Sequence, residues 1–379
     1  MRWLIFSASF ASMFAFLFVL QSSPPVIPYI MREFGISHGK VSSLMTLVAI
    51  PGIFFSIPGA IFVDKYGSKK TGSAGLFLIT LGSLIGFFSG TFFVLDIGRF
   101  LVGIGGAIVV VAAPSILPKY FSTDELGSVM GLFAINMPAA TIIAFNSLEI
   151  ISKTYGWRST QLISFLLSFI TLIFYFLVIK DPKQNEPYEN GEISFSGLKS
   201  TQIWILGLIW AFFNMAAISY TTFSGSFFSE FKGVPKSYAD FLASMLMIPT
   251  IFICPFVGYV SDRIQKRKII ITSGLFGISL AFFCIPFSFG IFVLLSTLFL
   301  GIMASFIPPP IFALSPEVLR ENVGMGFGVL NTCLNLGIAS GPMLTGIIRD
   351  LSQSEFISYM TMASFSIIAM VLSLRLKTR

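Results

Sequence analysis

The feature that most constrains this chain is a succession of apolar runs, each ended by charge, by proline and glycine, or by a polar cluster. A helix needs about 20 apolar residues to cross the hydrocarbon core of a bilayer. Twelve runs meet that length, at about 4–30, 41–63, 71–93, 97–120, 127–149, 158–180, 202–228, 238–261, 269–287, 290–314, 324–348 and 355–374. The expected fold is an all-α membrane protein of twelve transmembrane helices. Composition agrees, since 55% of the 379 residues are hydrophobic and 11% are charged, far from the balance of soluble domains. One histidine, His38, and three cysteines inside apolar runs (Cys254, Cys284, Cys333) offer no spacing for a metal site or a disulfide framework. No cofactor, metal or catalytic residue is expected, and the chain does not read as an enzyme.

The net charge of +7 falls in short clusters between apolar runs and not on one face, which argues against a nucleic-acid partner and for a topology signal. With both termini cytoplasmic, Lys65, Lys69 and Lys70, then Arg263, Lys266, Arg267 and Lys268, then Arg375, Lys377 and Arg379 all lie inside, with Lys183 between the halves. The outer side keeps Arg32, Lys40, Lys153, Arg158, Lys232, Lys236 and Arg349. A multi-pass protein of the plasma (inner) membrane follows, monomeric and partnered by the lipid bilayer. The polar stretch 181–201 reads as a cytoplasmic linker joining an N-terminal six-helix bundle, 1–180, to a C-terminal one, 202–379.

An internal repeat supports that division. An offset of 198 residues superposes Pro51 on Pro249, Asp64 on Asp262, Lys65 on Arg263, Lys69 on Arg267, Lys70 on Lys268 and Gly103 on Gly301; an offset of 197 pairs Gly127 with Gly324 and Gly131 with Gly328. Two parallel halves of this kind suit a machine whose halves rock about an axis along the membrane normal.

The turn Asp64-Lys65-Tyr66-Gly67-Ser68-Lys69-Lys70 and its copy Asp262-Arg263-Ile264-Gln265-Lys266-Arg267-Lys268 resemble the charged signature G-x-x-x-D-R/K-x-G-R/K-R/K of the major facilitator superfamily of twelve-helix secondary transporters. Ala60 stands at the first glycine of the first copy, and Gln265 at the turn glycine of the second. Pro316-Glu317-Val318-Leu319-Arg320 resembles the family's P-E-x-x-R element, and Gly98-Arg99 through Gly103-Ile104-Gly105-Gly106 its R-x-x-x-G-x-G element in span four. The resemblance implies a gating role for Asp64, Lys65, Gly67, Lys69, Lys70, Asp262, Arg263, Arg267, Lys268, Glu317 and Arg320. A carboxylate at the end of a span can accept hydrogen bonds from a neighbouring helix N-terminus and latch one conformation. The alternative is a turn that only anchors topology.

Arg99 is the cation placed inside a span, and an unpaired arginine at mid-membrane costs about 3 kcal/mol. It either snorkels beside Asp96 or presents its guanidinium to an anionic substrate. Polar residues elsewhere in the spans are sparse, and Gln21, Asn136, Asn214, Tyr220, Asn331 and Asn335 complete the expected substrate-binding set. Asn331 and Asn335 share a helix face. The alternative for each asparagine is a bridge between helices. Gly156-Trp157-Arg158 matches a further family element, with Trp157 and Tyr155 expected as interfacial anchors.

The expected function is secondary transport of a small solute, an organic anion or amino-acid-like metabolite, by alternating access, driven by the solute's gradient or by protons. The pattern resembles the nitrate, cyanate and organic-anion porter branches, although Thr297 occupies the repeat position of Arg99, where the nitrate branch has a second arginine. The alternatives are a proton-coupled exporter of hydrophobic compounds and a non-transporting membrane sensor.

Overall fold

The computed structural model describes residues 1–36, 38–41, 43–181 and 196–377. Most of the expected linker, with Lys183, and the terminal Arg379 lie outside the described residues. The described chain forms sixteen α-helices: α1 Arg2–Leu20, α2 Ile27–Phe34, α3 His38–Val41, α4 Ser43–Phe87, α5 Phe92–Ser115, α6 Leu126–Phe133, α7 Asn136–Tyr155 and α8 Arg158–Val178. After residue 195 come α9 Thr201–Ser226, α10 Lys236–Ser244, α11 Ile248–Ile264, α12 Arg267–Cys284, α13 Ile291–Ala304, α14 Pro308–Val318, α15 Val323–Ser352 and α16 Glu355–Ser373. Eleven stretches among the described residues are long and apolar enough to cross a membrane.

The twelve runs read from sequence reduce to eleven stretches because the second and third merge. Helix α4 is 45 residues long, about 67 Å at 1.5 Å per residue and twice the thickness of a hydrocarbon core, and it is interrupted at Gly67, with φ 85° and ψ 164°. That conformation is open essentially to glycine alone. The reversal expected over 64–70 is therefore made at one residue, and helical geometry resumes at once on either side.

The first run departs in the opposite sense. It is one span in the sequence and two helices in the structure, with α1 ending at Leu20 and α2 starting at Ile27 after a single 3-10 turn over Pro24–Val26. Pro24 and Pro25 carry no N–H, so the carbonyls of Leu20 and Gln21 lose their helical donors. The seventh run also loses regular geometry near its outer end, where Phe227–Phe231 is π-helical.

The chain separates into two compact units. One comprises Met1–Ser122, Asn136–Gly197 and Arg320–Thr332; the other comprises Thr123–Ile135, Leu198–Leu319 and Cys333–Arg379. Each unit takes in a short helical segment from the opposite sequence half.

The repeat register reappears as packing inside each unit. A Cβ on Gly103 would lie 2.7 Å from the Leu47 carbonyl oxygen in the first unit, and a Cβ on Gly301 would strike the Met245 carbonyl oxygen in the second. A Cβ on Gly328 would meet the Ser56 carbonyl oxygen at 3.0 Å, and one on Gly131 the Cys254 carbonyl oxygen at 2.5 Å. Each pair of partners, 47 with 245 and 56 with 254, is separated by the same 198 residues. Glycine at these positions lets backbones touch, which is how helices associate where no hydrophobic effect drives them together.

Candidate functional site

The chemistry shared by the two charged turns is a carboxylate placed on a helix N-terminus. In the first unit Asp64, near the end of the second run, accepts the amide hydrogens of Gly324 at 2.8 Å and Met325 at 2.9 Å. These are the second and third residues of α15, whose first-turn amides have no intrahelical acceptor. In the second unit Asp262 accepts the amide hydrogens of Gly127 at 2.7 Å and Ser128 at 2.6 Å, the second and third residues of α6, and also the Ser128 hydroxyl at 2.8 Å. Both carboxylates thus stand where an N-cap side chain would, supplied by another helix and favoured by the dipole.

The glycines are part of the arrangement. A Cβ on Gly324 would sit 2.7 Å from Asp64 Oδ1 and 2.9 Å from the Ala60 carbonyl oxygen, and one on Gly127 would strike Asp262 and lie 2.8 Å from the Gly258 carbonyl oxygen.

The cations of the two turns are disposed differently. Arg267 is 2% exposed; its Nη2 lies 3.2 Å from Asp262 Oδ1 and donates to the Thr123 carbonyl at 2.9 Å, and its Nη1 lies 2.5 Å from Glu317 Oε1. The P-E-x-x-R element therefore reaches the second turn through Glu317, whereas Arg320 is exposed. Lys268 donates to the Leu374 carbonyl at 2.6 Å, and Arg263 lies over the Tyr259 ring. In the first turn Lys69, the repeat counterpart of Arg267, lies over the Phe176 ring at 4.6 Å, Lys65 lies over Tyr66, and Lys70 is exposed. Gln265, at the position of Gly67, is left-handed with φ 55° and donates to the Asp262 carbonyl at 2.7 Å and to Asp124 at 3.2 Å.

The expected substrate set is spread over both units. Arg99 is 1% exposed. Its Nε donates to the Leu44 carbonyl at 3.0 Å, Nη1 to Val19 at 2.8 Å and Nη2 to Leu20 at 3.0 Å. The guanidinium thus caps the C-terminus of α1 where Pro24 has removed a donor, a placement that suits a cation at the negative end of a helix. Asp96, its neighbour one turn earlier, accepts the Ser43 hydroxyl at 2.8 Å.

In the same unit Gln21 donates to the Thr141 hydroxyl at 2.9 Å, Asn331 donates to the Ser56 hydroxyl at 2.7 Å, and Asn136 is buried at the start of α7. Asn335, one turn beyond Asn331 on α15, belongs to the other unit and is half-buried. In the other unit Asn214 donates to the Trp210 carbonyl one turn earlier at 2.7 Å, and the Tyr220 hydroxyl donates to the Leu242 carbonyl at 3.0 Å. Among the described residues no group of three or more metal-ligating side chains is placed to hold a metal ion.

Two residues make contacts absent from their sequence reading. Trp157 is 4% exposed within a cluster of Val26, Ile30, Val41, Leu44, Phe92 and Leu95. Its indole and Arg158 both donate to Glu33, each at 2.6 Å, because buried tryptophan N–H needs an acceptor. Tyr155 is exposed as expected. Asp181, which the sequence presents only as the first polar residue after span six, accepts the amide hydrogens of Ser68 and Lys69, each at 2.9 Å. The only sequence signal for it is an aspartate directly at a span end.

Comparison with known proteins bears on the family and the fold. A probable nitrate transporter of Staphylococcus epidermidis, NarT, is 22% identical over 364 residues, covering 94% of this chain and 91% of the relative. The nitrite extrusion protein of Bacillus subtilis is 21% identical over 357 residues, covering 93% and 89%. The transporter FucP, solved in its outward conformation, superposes with a TM-score of 0.83 over 99% of both chains at 13% identity. The family profile described as Major Facilitator Superfamily matches residues 5–342 and, in a second alignment, 212–379. The chain, with its paired carboxylate caps and bilayer-length apolar helices, belongs to this family of transporters and is a multi-pass integral membrane protein.

Proposed function

We propose that this protein carries a small anion across the plasma (inner) membrane as a secondary transporter working by alternating access. Its twelve spans, counted with Gly67 as a turn, form two six-helix halves, 1–180 and 202–379, joined by the segment 181–201 with both termini cytoplasmic. Asp64 and Asp262 act as latches: each holds a helix of the opposite sequence half by its N-terminal amides, and releasing them accompanies the change of access.

The observation that carries the substrate reading is the charge balance at Arg99. Arg267 faces two carboxylates, whereas the hydrogen-bond acceptors of Arg99 are neutral, three carbonyls and the Met45 sulfur, with the Asp96 carboxylate one turn away and bonded to Ser43. Its positive potential therefore extends to the break in the first span, where Gln21 and the first turn of α7 with Asn136 supply neutral polar groups, and Asn331 of the same unit extends the set. Asn214 and Tyr220, whose donors serve carbonyls of their own unit, take packing roles. Relatives named for nitrate and nitrite favour a small oxyanion over an amino-acid-like metabolite.

Reconstituted in liposomes, the protein should take up nitrate or nitrite, with a rate that responds to a proton gradient if protons drive it. Arg99→Ala should abolish uptake of the anion. Uptake of an anion at full rate in Arg99→Ala, or efflux of hydrophobic drugs with no anion transport, would overturn the assignment.

A further inference from the structure

The end of the sixth span is built into the first latch. Asp181 accepts from both Ser68 N and Lys69 N, the first amides after the non-helical Gly67, and Lys119 Nζ stands 3.7 Å from its Oδ1. Its carboxylate fills the space beside Gly67, where a Cβ would come within 2.6 Å of Asp181 Cγ. Two hydroxyls fix the same corner. Tyr175, fully buried, donates to the Ser68 carbonyl at 3.0 Å, and Tyr120 donates to the Lys180 carbonyl. Burial and the negative charge of Asp181 push the Tyr120 phenol above its ordinary pKa, so it stays a donor at neutral pH.

Asp64 precedes Gly67 by three residues. The same one-residue reversal therefore sets both the direction of the Asp64 carboxylate and the start of the third span. We propose that Asp181 is a positioning residue of the first latch: by capping the helix that begins at Ser68 it holds the Gly67 reversal in the one geometry that brings Asp64 to the amides of Gly324 and Met325. Without that cap the helix after Gly67 keeps its two uncapped amides, the reversal relaxes, and the latch loses its aim although Asp64 itself is intact. In the second unit the end of the last span meets the ninth through the Leu374 carbonyl, which accepts from Lys268, with donor and acceptor exchanged.

This inference rests on the latch reading of Asp64, and the test separates the two. Spin labels at Lys70→Cys and Arg320→Cys, both exposed, report the distance across the first latch in full-length protein carrying Cys284→Ser; Cys254 and Cys333 are buried. Wild type should populate a short distance, and Asp64→Asn a long one. Asp181→Asn should raise the long-distance population about three- to tenfold, the effect of losing charge-assisted hydrogen bonds, and Asp181→Glu should restore much of the short one. If Asp181→Asn is not recovered folded, Lys119→Gln should produce a smaller shift in the same direction. A distribution unchanged by Asp181→Asn and Lys119→Gln, with only the melting temperature lowered, would overturn the proposal while leaving the latch. An unchanged distribution in Asp64→Asn would overturn both.

Discussion

The two charged turns use one capping geometry and two different charge arrangements. In each, an aspartate accepts the second and third amides of a helix that starts with the same glycine spacing. Around Asp262 the fold adds the buried Arg267, Glu317 and the Ser128 hydroxyl; around Asp64 it places Lys69 over an aromatic ring and stiffens the turn from behind with Asp181, itself 3.7 Å from Lys119. The cap is what the internal repeat encodes, because it needs only a carboxylate, an approach permitted by glycine and a helix start. The buried arginine between two carboxylates belongs to the second copy. The second cap is accordingly the more costly to break, and the first the more sensitive to backbone geometry.

The largest effect should come from Arg267→Leu, which leaves two carboxylates without their buried cation and should cost about 3–5 kcal/mol of stability. The repeat-equivalent Lys69→Leu, which loses one half-exposed contact with Phe176, should cost under about 1 kcal/mol. Thermal unfolding in detergent measures both, and equal losses would erase the distinction between the turns.

Next in size, Gly67→Ala places a side chain at φ 85° and against Asp181 and should destabilise by about 1–3 kcal/mol. Gln265→Gly at the matching turn should change stability by under about 1 kcal/mol, because relief of left-handed strain offsets the lost side-chain hydrogen bonds. A large penalty for Gln265→Gly would show that the second turn depends on its glutamine as the first depends on its glycine.

The smallest effect tests the hydroxyl that distinguishes the caps. Ser128→Ala should weaken the second latch by about 0.5–1.5 kcal/mol, whereas Met325→Ala at the matching position of the first should leave its cap intact, read as an unchanged Lys70–Arg320 label distance. A lengthened distance in Met325→Ala would mean that packing, not amide capping, holds that helix.

Much of this was legible beforehand for identifiable reasons. Asp64 and Asp262 stand out because their spacing repeats, and Gly103 and Gly301 because a repeated glycine inside an apolar run has a packing use. The role of Asp181 was not legible: an aspartate at the mouth of a polar segment has the composition of any linker residue, and its partners lie 113 and 112 residues away. The Trp157 contact with Glu33 was not legible for a related reason, since the two residues are 124 apart in the chain. Arg99 had to find polar partners inside the membrane, but carbonyls freed by Pro24 were not foreseen, because proline announces a break without saying which side chain repairs it.

By itself the sequence determined that the chain crosses the membrane repeatedly, that its cations cluster between the apolar runs, and that its halves share a register. These follow from run length, charge and repetition, properties that add up along the chain whatever the fold. Tertiary structure decided that the second and third runs join through Gly67, that Arg99 caps a broken helix, and that Glu317 and Asp181 belong to different turns. Those outcomes depend on which donors and acceptors are left unpaired once helices pack, and residues far apart in the chain compete to satisfy them.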